Sequence, residues 1–295
     1  MVLSTALSID IARFLSVEDY ATWAATHTTT LERRRQIEDQ LIQDDSERFF
    51  VAGHCFPCDR RANFVVDYQY QWDTHNGRRI PNWRERLECL ECGLNNRMRA
   101  AIHLFEREFS PNRNARLYVT EQTTPLFQVL SRSYPTLTGS EFLGSAINYG
   151  TSDHSGIRNE SIVKLTFSSD LFDFILSFDV LEHVPEYLAG FRECWRCLSP
   201  GGKILFTVPF DPHMSSNLVR ARVDRRGGIE HLAPPEYHGD PLSSAGCLSY
   251  YTFGWELLNA VRAVGFTDVS ALSFWSSDYG YLGRDQIVFV AHKPS

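Results

Sequence analysis

From Arg116 onward, short apolar runs alternate with amphipathic ones. ARLYVTE reads as a strand, PLFQVLSRSY as a helix and TLTGSEFLG as a strand. SIVKLTF is short and reads as loop or helical turn. FDFILSFD is a strand, EYLAGFRECWRCL a helix and GGKILFTVPF a strand, with SPGG as helix stop and turn between the last two. After an irregular stretch, 211–250, FGWELLNAVRAVGF is a helix, and DVSALSFW and QIVFVAHK are strands. Strands alternating with single helices predict an α/β fold: a doubly wound, mostly parallel sheet covered on both faces. The closing order helix, strand, strand predicts a hairpin at one sheet edge.

The first hundred residues follow another pattern. Residues 1–50 read as a helical arm. Ser16 with Val-Glu-Asp behind it is a helix start, and LERRRQIEDQLIQ places Leu31, Ile37 and Leu41 on one face. Residues 51–100 turn to short strands and tight turns, GHCFPCDRR, NFVVDYQYQW and LECLECGLNNRMRA, leading into a helix near Asn95. The predicted division is an arm at 1–50, a cysteine-bearing insert at 51–100, and an α/β domain at 101–295 in which 211–250 is a further insert.

Composition narrows the function classes. The 295 residues are 43% hydrophobic and 22% charged, with a formal net charge of −7. Such a chain buries a large core, and its field repels polyanions, which argues against nucleic-acid and anionic-membrane partners. MVLSTALSIDIARF has no basic n-region and no long apolar core, and no apolar run approaches the roughly 20 residues of a membrane span. The chain is expected to be cytoplasmic. Its seven cysteines suit a metal site better than a disulfide framework.

Cys55-x2-Cys58 and Cys89-x2-Cys92 are two knuckles that can turn four sulfurs toward one zinc ion. Their spacer of 30 residues exceeds the usual 15 to 20 or so of a compact ribbon, and a hairpin within it would restore the geometry. A redox dithiol or four unrelated thiols are the competing readings. A redox CxxC, however, sits at a helix start after a strand and does not come in two copies. Cys194 and Cys197 lie three apart on a predicted helix and read as small core residues.

In a doubly wound sheet, ligands bind at the carboxyl ends of the strands. Glu121, Glu141, Glu160 and Asp179 fall there, with Glu182 and His183 just beyond. Glu141 follows Glu121 by 20 residues, the spacing at which a second-strand acid meets ribose hydroxyls. At this point the chain resembles a family. FDFILSFDVLEHVPEYLAGFRECWRCLSPGGKILFTVPF, Phe172 to Phe210, is similar to the central stretch of class I S-adenosylmethionine (SAM)-dependent methyltransferases. FGWELLNAVRAVGFTDV resembles that family's last helix and strand. NWRERLECLECGLNNRMRA and EYHGDP resemble a bacterial subgroup and extend the likeness to the knuckles.

The resemblance implies a Rossmann-like, seven-stranded sheet that binds SAM. Glu121 matches the acid ending the first strand. Glu141, with Phe142 beside it, would bind ribose. Ser161, next to Glu160, stands where many members carry an adenine-contacting Asp. Asp179 would lie beside the methionine part, with Val180 and Leu181 lining the adenine or sulfonium region. The family's glycine-rich first loop is here Glu121-Gln-Thr-Thr-Pro125, so Gln122, Thr123 and Thr124 would hold the methionine carboxylate through side chains. Trp72 and Tyr118 are candidates to stack on the adenine or shield the sulfonium.

His183 is either a base for the acceptor's proton or a structural histidine that caps the next helix. In 211–250, His238 and Asp240 either orient a hydroxylated or zwitterionic small substrate, act as base and partner, or merely lock the loop. No ligand spacing among the histidines there supports a second metal site. The sequence reads as an O- or N-methyltransferase for a small-molecule or sugar acceptor, with structural zinc. A homodimer is compatible with it. The alternatives are a SAM-consuming enzyme that releases methylthioadenosine by cyclisation or elimination, and a non-catalytic zinc-containing binding module.

Overall fold

The computed structural model describes residues 7–43, 46–71, 73–75, 77–240 and 242–295, without the side chains at 73, 75, 240, 243 and 244. Trp72 and the Asp240 side chain therefore lie outside the described residues. The chain forms two compact units. The first takes the N-terminal residues up to Arg13, Ala21–Pro111 and Leu272–Ile287; the second takes Phe14–Tyr20, Asn112–Ala271 and Val288–Ser295.

The central sheet has seven strands, in the order Asp10–Phe14, Thr267–Trp275, Ile287–His292, Leu198–Thr207, Phe172–Phe178, Leu117–Val119 and Thr138–Gly139. The last four pair in parallel, and Ile287–His292 runs antiparallel to Leu198–Thr207. Flanked by helices, this is the Rossmann-like arrangement the alternation predicts. Phe172–Phe178 and Leu198–Thr207 place Ile175, Leu176, Ile204, Leu205 and Phe206 almost wholly out of water, as a sheet covered on both faces demands.

Three expectations need correction. Residues 1–50 are not all helix: Asp10–Phe14 is a strand, followed by helices Val17–Thr26 and Thr28–Leu41. The closing pair of strands does not end the sheet, because Asp10–Phe14 lies outside Thr267–Trp275. The strand expected in TLTGSEFLG shrinks to Thr138–Gly139. Beyond it the chain makes only an isolated parallel bridge, Glu141 to Asn159.

Local chemistry explains the helix that opens the parallel domain. Thr124 caps Pro125–Ser133, its hydroxyl accepting from Phe127 N–H, and Pro125 sits in the first turn, where its missing N–H costs nothing. Gly139 is required by close approach: a Cβ there would lie 2.4 Å from the Phe127 ring. Helix Tyr187–Cys197 buries Gly190, Phe191, Cys194 and Cys197, so these two cysteines are core residues.

In the first unit, strands Arg48–Cys55 and Arg60–Asp67 form an antiparallel hairpin, and Glu88–Cys89 pairs with the second of them. Helix Asn96–Phe109 begins at Asn95, whose side chain accepts from Met98 N–H. Arg99 on this helix is wholly buried and stacks on Phe64, with 3.7 Å from guanidinium carbon to ring centre. It donates to the carbonyls of Leu87, Tyr279 and Gly280. A planar fork of donors suits a site that offers only carbonyls.

His103, one turn further on, is buried, stacked on Phe56 at 3.9 Å and within 3.3 Å of the Tyr281 hydroxyl. Burial first, then the charges of Arg107 and His54, hold it down to about 4. A folded pKa below the unfolded value means that the unfolded chain binds the extra proton. Stability is therefore whole above about pH 6.5 and is lost as pH falls toward 4. Replacing His103 by Gln should remove about 2 kcal/mol of that acid sensitivity. Denaturant unfolding at pH 7 and pH 4 checks this; equal pH dependence in both proteins would refute it.

Candidate functional site

Two groups of side chains carry chemistry. The first is the cysteine cluster of the first unit. Cys55 closes one strand of the hairpin, and Cys58 lies in its turn. Cys89 ends its own short strand, and Gly93, at φ 69°, turns the chain so that its N–H reaches Cys89 O at 2.8 Å. The four sulfurs lie within 4.8 Å of one another. Cys55 and Cys92 are separated by 3.7 Å, Cys58 and Cys89 by 3.9 Å. Zinc–sulfur bonds of about 2.3 Å in a tetrahedron require roughly 3.8 Å. The donor set and its spacing thus fit a closed zinc shell. The long spacer is accounted for by a further hairpin, 73–75 with 78–80. Cys92 is drawn down to about 5, first by the hydrogen bond from Cys55, and the same bond together with burial pushes the Cys55 thiol up.

The second group lies at the carboxyl edge of the parallel strands. Glu121 follows Leu117–Val119, Glu141 follows Thr138–Gly139, and Asp179 follows Phe172–Phe178. Glu141 Oε1 accepts three hydrogen bonds, from Gln122 N–H, Thr123 N–H and the Thr123 hydroxyl, at 2.7 to 2.8 Å. In a loop without glycine, the carboxylate organises the backbone. Gln122 uses both ends of its amide, accepting from Arg158 N–H and donating to Gly156 O. Asp179 adopts the left-handed conformation, φ 51°, which Asp tolerates better than most residues. It accepts from the Thr207 hydroxyl at 2.7 Å, and its N–H donates to Thr207 O.

The remaining candidates separate. Glu160 is buried, paired with Arg158 and bonded to the N–H and hydroxyl of Thr166. Ser161 beside it is buried in a turn closed by Lys164 N–H. Thr124 is the helix cap described above. Phe142 is 62% exposed, and Val180 is half-buried. Tyr118 is not available to stack on a ligand. It is buried between Phe167 and Phe172, its hydroxyl bonded to Ser140, because its strand is interior to the sheet.

His183 and His238 meet across Glu182. Leu181–His183 forms one 3-10 turn, and its Glu182 is wholly buried. Glu182 Oε1 lies 3.6 Å from His183 Nε2 and 3.5 Å from His238 Nδ1. These are ion-pair distances but not hydrogen bonds, and neither carboxylate oxygen has a hydrogen-bond partner among the described residues. His183 Nδ1 lies 2.8 Å from Leu248 O, which fixes the proton on that nitrogen. His238 Nε2 lies 3.0 Å from Glu236, which Arg220 grips at 2.7 Å. Burial first, and Asp179 nearby, push the Glu182 carboxyl up. Glu182, followed by Glu236, draws His238 up to about 9. Sequence spacing offers no way to join residue 182 to residue 238. The available signal was an acid directly before a histidine at a strand end.

Residues 125–206 match the family model described as a methyltransferase domain. The matched residues lie within the Rossmann-like sheet described above. No curated protein matches the chain. Among solved structures, it is similar to a SAM-dependent methyltransferase from Mesorhizobium loti (19% identity, 65% of this chain, 98% of that one, TM-score 0.42). It is also similar to 1,6-didemethyltoxoflavin-N1-methyltransferase of Burkholderia thailandensis, bound to its substrate and S-adenosylhomocysteine (15%, 68%, 79%, TM-score 0.40). A third is the [4+2]-cyclase SpnF (14%, 67%, 81%, TM-score 0.43). All three lie below the similarity at which an activity transfers.

Proposed function

We propose that the protein is a SAM-dependent methyltransferase that methylates an oxygen or nitrogen of a small-molecule or sugar acceptor, and that the four cysteines hold a structural zinc. The observation that carries the first reading is the set Glu121, Glu141 and Asp179 at the carboxyl edge of the domain matched at 125–206. Glu141 fits a ribose. Its Oε1 is taken by the first loop, while Oε2 accepts no hydrogen bond among the described residues, leaving a carboxylate oxygen for hydroxyl donors. SAM, when bound, supplies a methyl group already activated on a sulfonium.

The chain's own residues then have to orient and exclude water. Glu141 holds the first loop in a fixed shape without glycine. Asp179 is fixed by Thr207 at the end of its strand. His183 and His238, in the same unit, offer nitrogens whose tautomers are set by Leu248 O and Glu236. The net negative charge of the chain favours an uncharged or cationic acceptor over a polyanion.

Incubation with SAM alone, followed by mass spectrometry of the nucleosides, tests the reading. Intact SAM retained on the protein is expected. Methylthioadenosine above the spontaneous background would replace methyl transfer with cyclisation or elimination. Asp179→Ala should weaken SAM binding at least tenfold in calorimetry with little change in circular dichroism. Unchanged affinity would remove Asp179 from the cofactor site.

A further inference from the structure

We infer that Glu182, His183 and His238 are the protein ligands of one divalent transition-metal ion, separate from the cysteine cluster. The first reason is an unmet demand. A wholly buried carboxylate with no hydrogen bond to either oxygen among the described residues is costly. Both imidazoles nearest to it stop at 3.5 and 3.6 Å instead of closing to bonding distance.

The second reason is the arrangement of those rings. Metal-bound histidines donate their other N–H to a carbonyl or carboxylate. Here His183 does so to Leu248 O and His238 to Glu236, which Arg220 holds in turn. Each ring is therefore fixed by one nitrogen and presents the other beside Glu182. The ligand atoms lie within 4.8 Å of one another. Bonds of about 2.1 Å in a tetrahedron put neighbouring donors roughly 3.4 Å apart, close to the two distances observed.

Charge points the same way. Asp179 is a like-charged neighbour of Glu182, and Glu236 lies across His238, where Arg220 pairs with it. Two imidazoles and a carboxylate select a first-row transition ion over Mg²⁺ or Ca²⁺, which prefer oxygen throughout. Three protein ligands leave at least one position open, as in catalytic sites and unlike the closed cysteine shell. The open position takes an oxygen ligand: water, or a hydroxyl of a bound molecule. On this assignment His183 and His238 hold the ion and neither serves as a free base.

The test titrates the full-length protein, zinc retained, with Mn²⁺, read by calorimetry and by loss of the free-ion magnetic resonance signal. Mn²⁺ avoids thiolate shells, so the cysteines do not compete. About one Mn²⁺ per chain is expected. Affinity should fall at least tenfold in Glu182→Gln and in His238→Gln, and 10- to 100-fold in Glu236→Gln, the usual range for an outer partner. Co²⁺ should give the weak visible bands of nitrogen and oxygen ligation without thiolate charge transfer. Absence of Mn²⁺ binding by the wild type, or wild-type affinity in the variants, would overturn the assignment. Should Glu182→Gln fail to fold, the half-buried His238→Gln decides alone.

Discussion

With both Cys89 and Cys92 replaced by serine, the purified protein should contain no zinc, and the first unit should melt separately or fail to fold. The wild type should carry about one zinc per chain. The effect is large because binding of a structural zinc is itself folding free energy, about 10 to 16 kcal/mol in small zinc domains near neutral pH. Here the sulfurs belong to the core: Cys55 and Cys89 pack with Phe49, Val51, Phe64, Val66, Trp83 and Leu87. Without an ion, four thiols crowd there, two pairs of them at 3.7 and 3.9 Å. Metal analysis and differential scanning calorimetry decide the matter. A zinc-free wild type with an undiminished transition would dispose of the metal altogether.

Glu141→Ala should lower stability by about 3 kcal/mol, since it strands two backbone N–H groups and a hydroxyl that now share one carboxylate oxygen. On the proposed function it should also weaken SAM binding at least tenfold. Glu141→Gln separates the two effects. An amide oxygen still accepts from the loop, so stability should fall by less than about 1 kcal/mol. The amide is a weaker acceptor for ribose hydroxyls, so SAM binding should still suffer. Equal SAM affinity in wild type and both variants would take Glu141 out of the cofactor site and leave it a loop organiser. Denaturant titration and calorimetry on the three proteins give the answer.

The legible parts of the fold were those where one physical signal acted alone. FDFILSFD and KILFTV are predominantly apolar, and such runs are buried strands. The Pro and Gly of SPGG mark the break after Cys197, where the strand register shifts between Leu198 and Lys203. Asp10–Phe14 was hidden because its burial does not alternate cleanly and helices follow it directly. Thr138–Gly139 was overextended because its apolar neighbours, such as Phe142, stay exposed. At the candidate site, Glu141 and Asp179 could be placed from strand ends. That Glu141 would take over from glycine could not, because its partners are backbone N–H groups. The meeting of His183 and His238 depends on a fold of the 211–250 insert that carries no periodic pattern.

That insert has one further consequence. Between Arg222 and Ala233 nearly every residue is exposed, whereas Ala221, Leu248 and Tyr250 at its roots are buried. What fastens its middle is polar: Glu236 to Arg220, and His238 beside Glu182. Residues 222–233 answer to no packing constraint, while Arg220, Glu236 and His238 answer to a strict one. On the proposed function, substitutions in this outer ribbon would alter which molecules are admitted and leave the core untouched. On that reading, selectivity and foldability lie on separate stretches of the same chain.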